Sequence, residues 1–261
     1  MPLTVWRREQ GRTGTLALAG KHGMIPTGND TPEPGMSSRL TEADNEFFLG
    51  LYRNAVSFYQ PKIERRTAVS LGKISVRDFR QFDQDKTCDY EQETSPGFFP
   101  LFKRARIKAQ LRKWREHLKS TYEERARACM AAYYRSAIYV SFSQDIRYHE
   151  EGIALTTIHE LSHALWETIE GELLDRPRAG TRADWEKFRL LVEGYATYAD
   201  QVWFLDLYPA CVRNTVNYAP PPRGSVHFQG LQNIRELVKK FGSQILLEIP
   251  KRWRSIEIES L

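Results

Sequence analysis

The sequence predicts an α+β fold, mostly helical, with a small mixed sheet. Three observations carry that prediction. Apolar residues recur at helical spacing over long stretches, as in Phe47, Phe48, Leu51, Tyr52 and Val56, or Phe188, Leu191, Val192, Tyr195 and Ala199. Strand-like runs are short and few: β-branched alternation within Thr67–Phe79 and the apolar run Ala137–Phe142. No internal repeat or linker-like stretch interrupts residues 40–261, and 41% hydrophobic with 12% aromatic residues suffices for a core. Residues 39–261 are therefore expected to form one domain, with an N-terminal part, 39–136, and a second part, 137–261.

Taken in order, residues 1–38 are rich in Gly, Pro, Thr and Arg and read as a flexible arm, with one or two short strands around Gly14–Ala19. Such an arm could bind a partner or shield a site, or be an ordinary terminus. Ser38 or Thr41 can cap a helix that runs to about Gln60, where Pro61 is expected to stop it. Val69, Leu71, Ile74 and Val76 then alternate as in strands. Gln81–Pro100, acidic and then turn-rich, reads as a loop, followed by a long basic helix or helix pair over Leu101–Arg135. Ala137–Phe142 is a compact strand. A helix over about Glu151–Glu170 ends at Gly171, a natural C′ residue. After a loop to Gly180, Thr181-x-x-Asp184 has the spacing of a helix start, and that helix should reach about Leu207. Residues 209–224 hold four prolines and must be irregular. Two short helices, about 229–241 and 243–249, follow on either side of Gly242.

The net charge is +5, concentrated in Lys103, Arg104, Arg106, Lys108, Arg112, Lys113 and Arg115. Such a run usually marks a solvated helix face. Nucleic acid stays a secondary reading for the basic helix 101–115, since aromatics do not interleave with it. Three cysteines, Cys88, Cys129 and Cys211, are odd in number, far apart and without a C-x-x-C pair, which fits a reducing compartment. Met1–Gly20 lacks the apolar core of a secretory signal, and nowhere do about 18 apolar residues run together. A soluble cytoplasmic protein with no membrane partner is the expectation.

The chemistry is concentrated in Thr157–Trp166, which contains His159-Glu160-x-x-His163. Histidines four apart lie one turn from each other on one helix face and can reach a single ion. Glu160 stands beside the first of them, placed to contact a water on that ion without being a ligand. Neutral imidazole nitrogens suit zinc, at about 2.0–2.1 Å. With no cysteine pair, the histidines must supply the donors, and one Zn2+ ion is the cofactor expected. Cys88 could cap such an ion as a thiolate, although a lone cysteine is usually only a cysteine. His149 and Glu150 could be supplementary ligands or simply a polar helix cap.

A third ligand is needed, and past His163 the only further histidine is His227. Glu193 lies in Leu190-Leu-Val-Glu-Gly-Tyr-Ala-Thr-Tyr-Ala-Asp200. A carboxylate amid so much apolar side chain requires a cation or a hydrogen-bonded partner, unless it sits partly solvated at the edge of the face. Gly194 favours the ligand reading. Inside a helix, glycine costs roughly 1 kcal/mol against alanine, which a close approach of two helices would justify. Thr197 and Asp200 fall on the stripe of Glu193, so either could orient a ligand histidine.

Together, His159-Glu-x-x-His163 and Glu193-Gly-Tyr-Ala-Thr-Tyr-Ala-Asp200 resemble the gluzincin metallopeptidases, zinc enzymes related to thermolysin with two histidines and a glutamate as ligands. The second segment looks most like the aminopeptidase branch. In that branch a Tyr-x-x-Gly opens a later helix; here His227-Phe-Gln-Gly230 stands in its place. The resemblance covers about 137–250. It implies a zincin-like domain with His159, His163 and Glu193 on the metal, Glu160 as the catalytic base, and strand 137–142 as the sheet edge on which an extended peptide pairs. It also implies an oxyanion donor: His227, or alternatively Tyr218 or Tyr195. The 29 residues between His163 and Glu193 exceed the family's usual spacing. The Gly-x-Met-Glu-Asn segment that reads a free amine is absent, so exopeptidase activity is not carried over. A third histidine six residues after the second would mark a metzincin, but residue 169 is Ile. The expected activity is a zinc metallopeptidase hydrolysing peptides or proteins. The alternatives are a gluzincin-like binding or regulatory protein without turnover, and a peptidase acting on a DNA-associated protein.

Overall fold

The computed structural model describes residues 42–93, 131–141, 150–174, 181–210, 213 and 221–258. The arm 1–38, the basic run 101–115, Cys129, Cys211, His149 and Tyr218 lie outside them.

Helix α1, Glu42–Thr67, carries acids in its first turn and arginines in its last, matching the helix dipole. It continues past Gln60 with Pro61 inside it, contrary to the sequence expectation. Burial explains the difference: Tyr52, Val56, Tyr59, Ile63 and Thr67 form one stripe on the core, with Tyr59 and Ile63 fully enclosed on either side of the proline. Burying side chains of this size, at about 1.5–3 kcal/mol each, offsets the roughly 3 kcal/mol that an internal proline costs. After α1, Ala68 and Gly72 take positive φ, so only Ser75–Asp78 of the expected strand region becomes a strand, β1.

Helix α2, Phe82–Glu93, occupies what the sequence suggests is a loop. Its acids are spaced at one helical turn and answer the sheet: Asp85 accepts from Arg77 and from the Tyr139 hydroxyl, both at 2.6 Å, and Asp89 pairs with Arg135 at 3.2 Å. Strand β2, Ala131–Tyr134, and strand β3, Ala137–Val140, form a hairpin whose turn residues, Arg135 and Ser136, both have φ > 0. That is the twist of a type I′ turn, made without the usual Asn-Gly. β1 pairs parallel with β3, and β2 pairs antiparallel with it.

The order β1-β3-β2 corrects the expectation that residues 137–142 form the sheet edge. All four residues of β3 are buried, as a central strand covered on both faces demands. Ile138 and Val140 face the main core, while Ala137 and Tyr139 join Phe79, Phe82 and Tyr134 in a second cluster. Among the described residues, the edge beside the histidine helix is β2, where the sequence suggests the end of the basic helix.

Helix α3, Glu150–Glu170, stops at Gly171, as its sequence predicts. Helix α4, Arg182–Tyr198, opens on the predicted capping box: the Thr181 hydroxyl accepts from the Asp184 N–H, and the Thr181 N–H donates to Asp184. It does not run on to Leu207 as an α-helix; Ala199–Trp203 widens into a π-turn and Leu205–Leu207 tightens into a 3-10 turn. Helix α5, Val226–Phe241, begins three residues before the expected start because Ser225 caps it, accepting from the Phe228 N–H. Its end at Gly242, which has φ +80, falls where the sequence places it. A 3-10 turn, Ser243–Leu247, leads to the short helix α6, Ile249–Arg252.

One core joins α1, the inner face of the sheet, α3, α4, α5 and α6. The Glu170 carboxylate clamps its C-terminal side, accepting from Trp166 Nε1 at 2.9 Å and from Trp253 Nε1 at 2.7 Å. No helix among the described residues is long and apolar enough to cross a membrane.

Candidate metal centre

Helix α3 presents His159, Glu160 and His163 on the side that faces α4 and β2. Its opposite side, with Ile158, Leu161 and Leu165 fully buried, fixes the rotation of the helix. Helix α4 brings Glu193 opposite them. His159 Nε2 and His163 Nε2 each lie 3.6 Å from Glu193 Oε2. These three residues each offer one ligand atom, all within 4.8 Å of one another. A tetrahedral zinc ion with bonds of about 2.0–2.1 Å separates its ligand atoms by about 3.4 Å, which the two histidine–glutamate distances approach, and N, N, O is a donor set that zinc takes.

The close approach that Gly194 suggests from sequence is present, and its partner is Gly230 on α5. A Cβ on Gly194 would run into the Gly230 carbonyl, and one on Gly230 would lie 2.7 Å from Gly194 N and Cα. This contact sets His227, one turn before Gly230, beside Glu193. His227 Nδ1 is 3.5 Å from Glu193 Oε2 and 3.4 Å from Thr197 Oγ1. The Thr197 hydroxyl donates to the Glu193 carbonyl at 2.7 Å, so it meets His227 as an acceptor. Nδ1 is thus the protonated nitrogen, and Nε2 is left for whatever enters the cleft. His227 is not in the three-residue ligand group, nor is Cys88, which lies exposed on α2.

The π-turn aims Asp200 back at the histidines, with Oδ2 2.8 Å from His159 Nδ1. That bond fixes the His159 tautomer and directs Nε2 at Glu193. Tyr195 takes another course. It packs edge-on to Trp166 and Trp203 in the core and is not among the cleft-lining residues.

The electrostatics follow from burial and crowding. Burial pushes Glu160 up to about 7, the His159 charge working against that shift. His163 falls to about 4, mainly through burial, and so presents a neutral imidazole. Burial raises Glu193, but the His159 hydrogen bond and the electrostatic pull of the neighbouring histidines outweigh it and hold the carboxylate at about 2. Asp200 rises to about 6 through burial, with the His159 hydrogen bond opposing. His159 itself lies well above its ordinary value: burial lowers it, but the Asp200 and Glu193 carboxylates more than compensate. Burial also lowers His227. Three buried atoms of this site, Glu160 Oε2, His163 Nδ1 and Asp200 Oδ1, have no hydrogen-bond partner among the described residues. Carboxylates and imidazoles crowded together, with orphaned carboxylate oxygens beside them, are the donor chemistry of a cation site.

A cleft of about 690 Å³ runs over these residues. One wall is β2, whose Tyr133 N–H donates to the Glu160 carboxylate. Sequence reasoning missed that wall, as well as Trp185 and Arg189 on α4, which also line the cleft. The signals were present. Tyr133-Tyr134 and Ala137–Val140 are two apolar runs with hairpin spacing, and Arg189 precedes Glu193 by one helical turn. No protein-family model, curated protein or solved structure matches the chain.

Proposed function

We propose that the protein is a zinc-dependent metallopeptidase of gluzincin type, hydrolysing peptide bonds in peptides or proteins. The observation that carries this reading is the joint geometry of α3 and α4. Two imidazoles and the Glu193 carboxylate converge on one point, and Glu160, buried and outside the ligand group, faces the same cleft. A purely structural zinc site has no need of that glutamate.

His159, His163 and Glu193 would hold the ion, with Asp200 orienting His159. Zinc, when bound, supplies a Lewis acid for the scissile carbonyl and lowers the pKa of water toward about 7. Glu160 takes the proton of the attacking water and passes it to the leaving amine. An acid near neutrality is suited to both halves of that transfer. The Tyr133 N–H steadies the Glu160 carboxylate, and Oε2 remains free for the water. As an imidazolium, the form that the Glu193 carboxylate 3.5 Å from Nδ1 favours and burial opposes, His227 donates from Nε2 to the carbonyl oxygen as charge develops there; one such donor contributes about 2.7–4 kcal/mol in other enzymes. The substrate backbone lies along β2 as an added strand, replacing the role first assigned to residues 137–142. With the Tyr133 N–H turned outward, the period of two turns the backbone groups of Ala131 to the same side.

The test is Glu160→Gln, comparing a peptide-library cleavage profile with zinc content. Cleavage falls by about 10²–10⁴-fold while zinc stays near one ion per chain. Cleavage at the wild-type rate by the variant sinks the assignment.

A further inference from the structure

We propose that Arg189 makes the cleft selective for peptides that carry a carboxylate close to the cleaved bond. The inference rests on the peptidase reading and adds the chemical class of its substrate. Arg189 lies four residues before Glu193, on the same face of α4 and about 6 Å along the axis from it. Both line the cleft. The Arg189 side chain makes no hydrogen bond or ion pair with any described residue. Arg189 is exposed, and Trp185 one turn earlier, 39% exposed, lies with Leu174 and Val192 on the same wall.

Two cleft-lining carboxylates of the protein, Glu167 and Glu193, are engaged elsewhere. Glu167, which also lines the cleft, accepts from the Tyr133 hydroxyl at 2.8 Å and from the Leu174 N–H at 3.0 Å. Glu193 faces the three histidines. A guanidinium presents a planar fork that matches a carboxylate through two parallel hydrogen bonds. The partner it lacks among the described residues is the one a substrate supplies. An acidic side chain and a free C-terminus present the same group, and both reach this position from a backbone laid along β2.

The experiment reads binding, so it does not require turnover. Zinc-loaded Glu160→Gln protein is titrated with fluorescein-labelled alanine–leucine peptides by anisotropy at low salt. Three forms are compared: neutral and amidated, the same peptide with a free C-terminal carboxylate, and the amidated peptide with one Glu moved along it. One charged form binds on the order of tenfold tighter than the neutral one. Adding Arg189→Gln brings that ratio toward one, Arg189→Lys keeps it above one, and Arg189→Glu inverts it. Preference for the free carboxylate assigns C-terminal recognition, and preference for an internal Glu assigns side-chain recognition. Equal or absent binding of all three forms overturns the proposal, as does an acid preference that survives Arg189→Gln. If wild-type protein binds acidic peptides through Arg189 yet cleaves none, the peptidase reading fails and this one stands.

Discussion

At the scale of single residues, Glu160 carries opposing demands. Its carboxyl is buried and raised to about 7, against an ordinary value near 4.5. Below about 4.5 both native and unfolded chains hold the proton and nothing is lost. Between 4.5 and 7 the unfolded chain has released its proton while the native one retains it, so stability falls as pH rises through that window. Above about 7 the loss is complete. In chelator-stripped protein, Glu160→Gln should therefore be more stable than wild type by an amount that grows from pH 4.5 to 7, reaching at most about 3 kcal/mol. Urea melts at several pH values measure it, and a difference independent of pH contradicts it. His163, lowered to about 4, acts with the opposite sign as pH falls below its ordinary 6.5, but it is common to both proteins and cancels.

At the scale of elements, the α4–α5 crossing holds the site together. Gly194 and Gly230 touch backbone to backbone, so Gly194→Ala must push α5 away from Glu193 and carry His227 with it. We expect a loss of about 1–3 kcal/mol in stability and weaker zinc binding, read by thermal melts and by chelator competition. Unchanged values for both would mean that the helices slide freely. The crossing also shows what could be read in the sequence. A helix-interior glycine beside an acid signals close approach, and a Thr-x-x-Asp box and two C-terminal glycines mark ends by local chemistry. Other features had no local mark. Pro61 continues a helix only because Tyr59 and Ile63 are enclosed around it, and Arg135-Ser136 makes a hairpin without turn residues. α2 forms because Asp85 and Asp89 meet Arg77, Tyr139 and Arg135 in three dimensions. The π-turn that aims Asp200 carries neither proline nor glycine to announce it. The His159–His163 pair was legible because helical spacing alone sets its geometry, whereas the strand edge depends on pairing that spacing does not encode.

At the scale of the whole molecule, the three candidate ligand residues come from two helices, α3 and α4, so an ion that binds them ties together parts of the chain separated in sequence. Binding to the native form alone stabilises by mass action, by about 2.7 kcal/mol at a hundredfold excess over Kd. For a chain of this size that raises Tm by roughly 5–10 °C. Calorimetry of stripped protein with and without zinc should show the rise, and Glu193→Ala should lose most of it. An equal rise in the variant would place the ion elsewhere. The Glu170 clamp lends the chain a means of watching these events. Two indoles, Trp166 just past His163 and Trp253 near the C-terminal end, are held dry on one carboxylate. Dry indoles emit toward the blue, and water reddens them when α6 lifts from α3. The grip of the α6 end on the histidine helix is thus visible in the colour of the protein's own fluorescence, with no label attached.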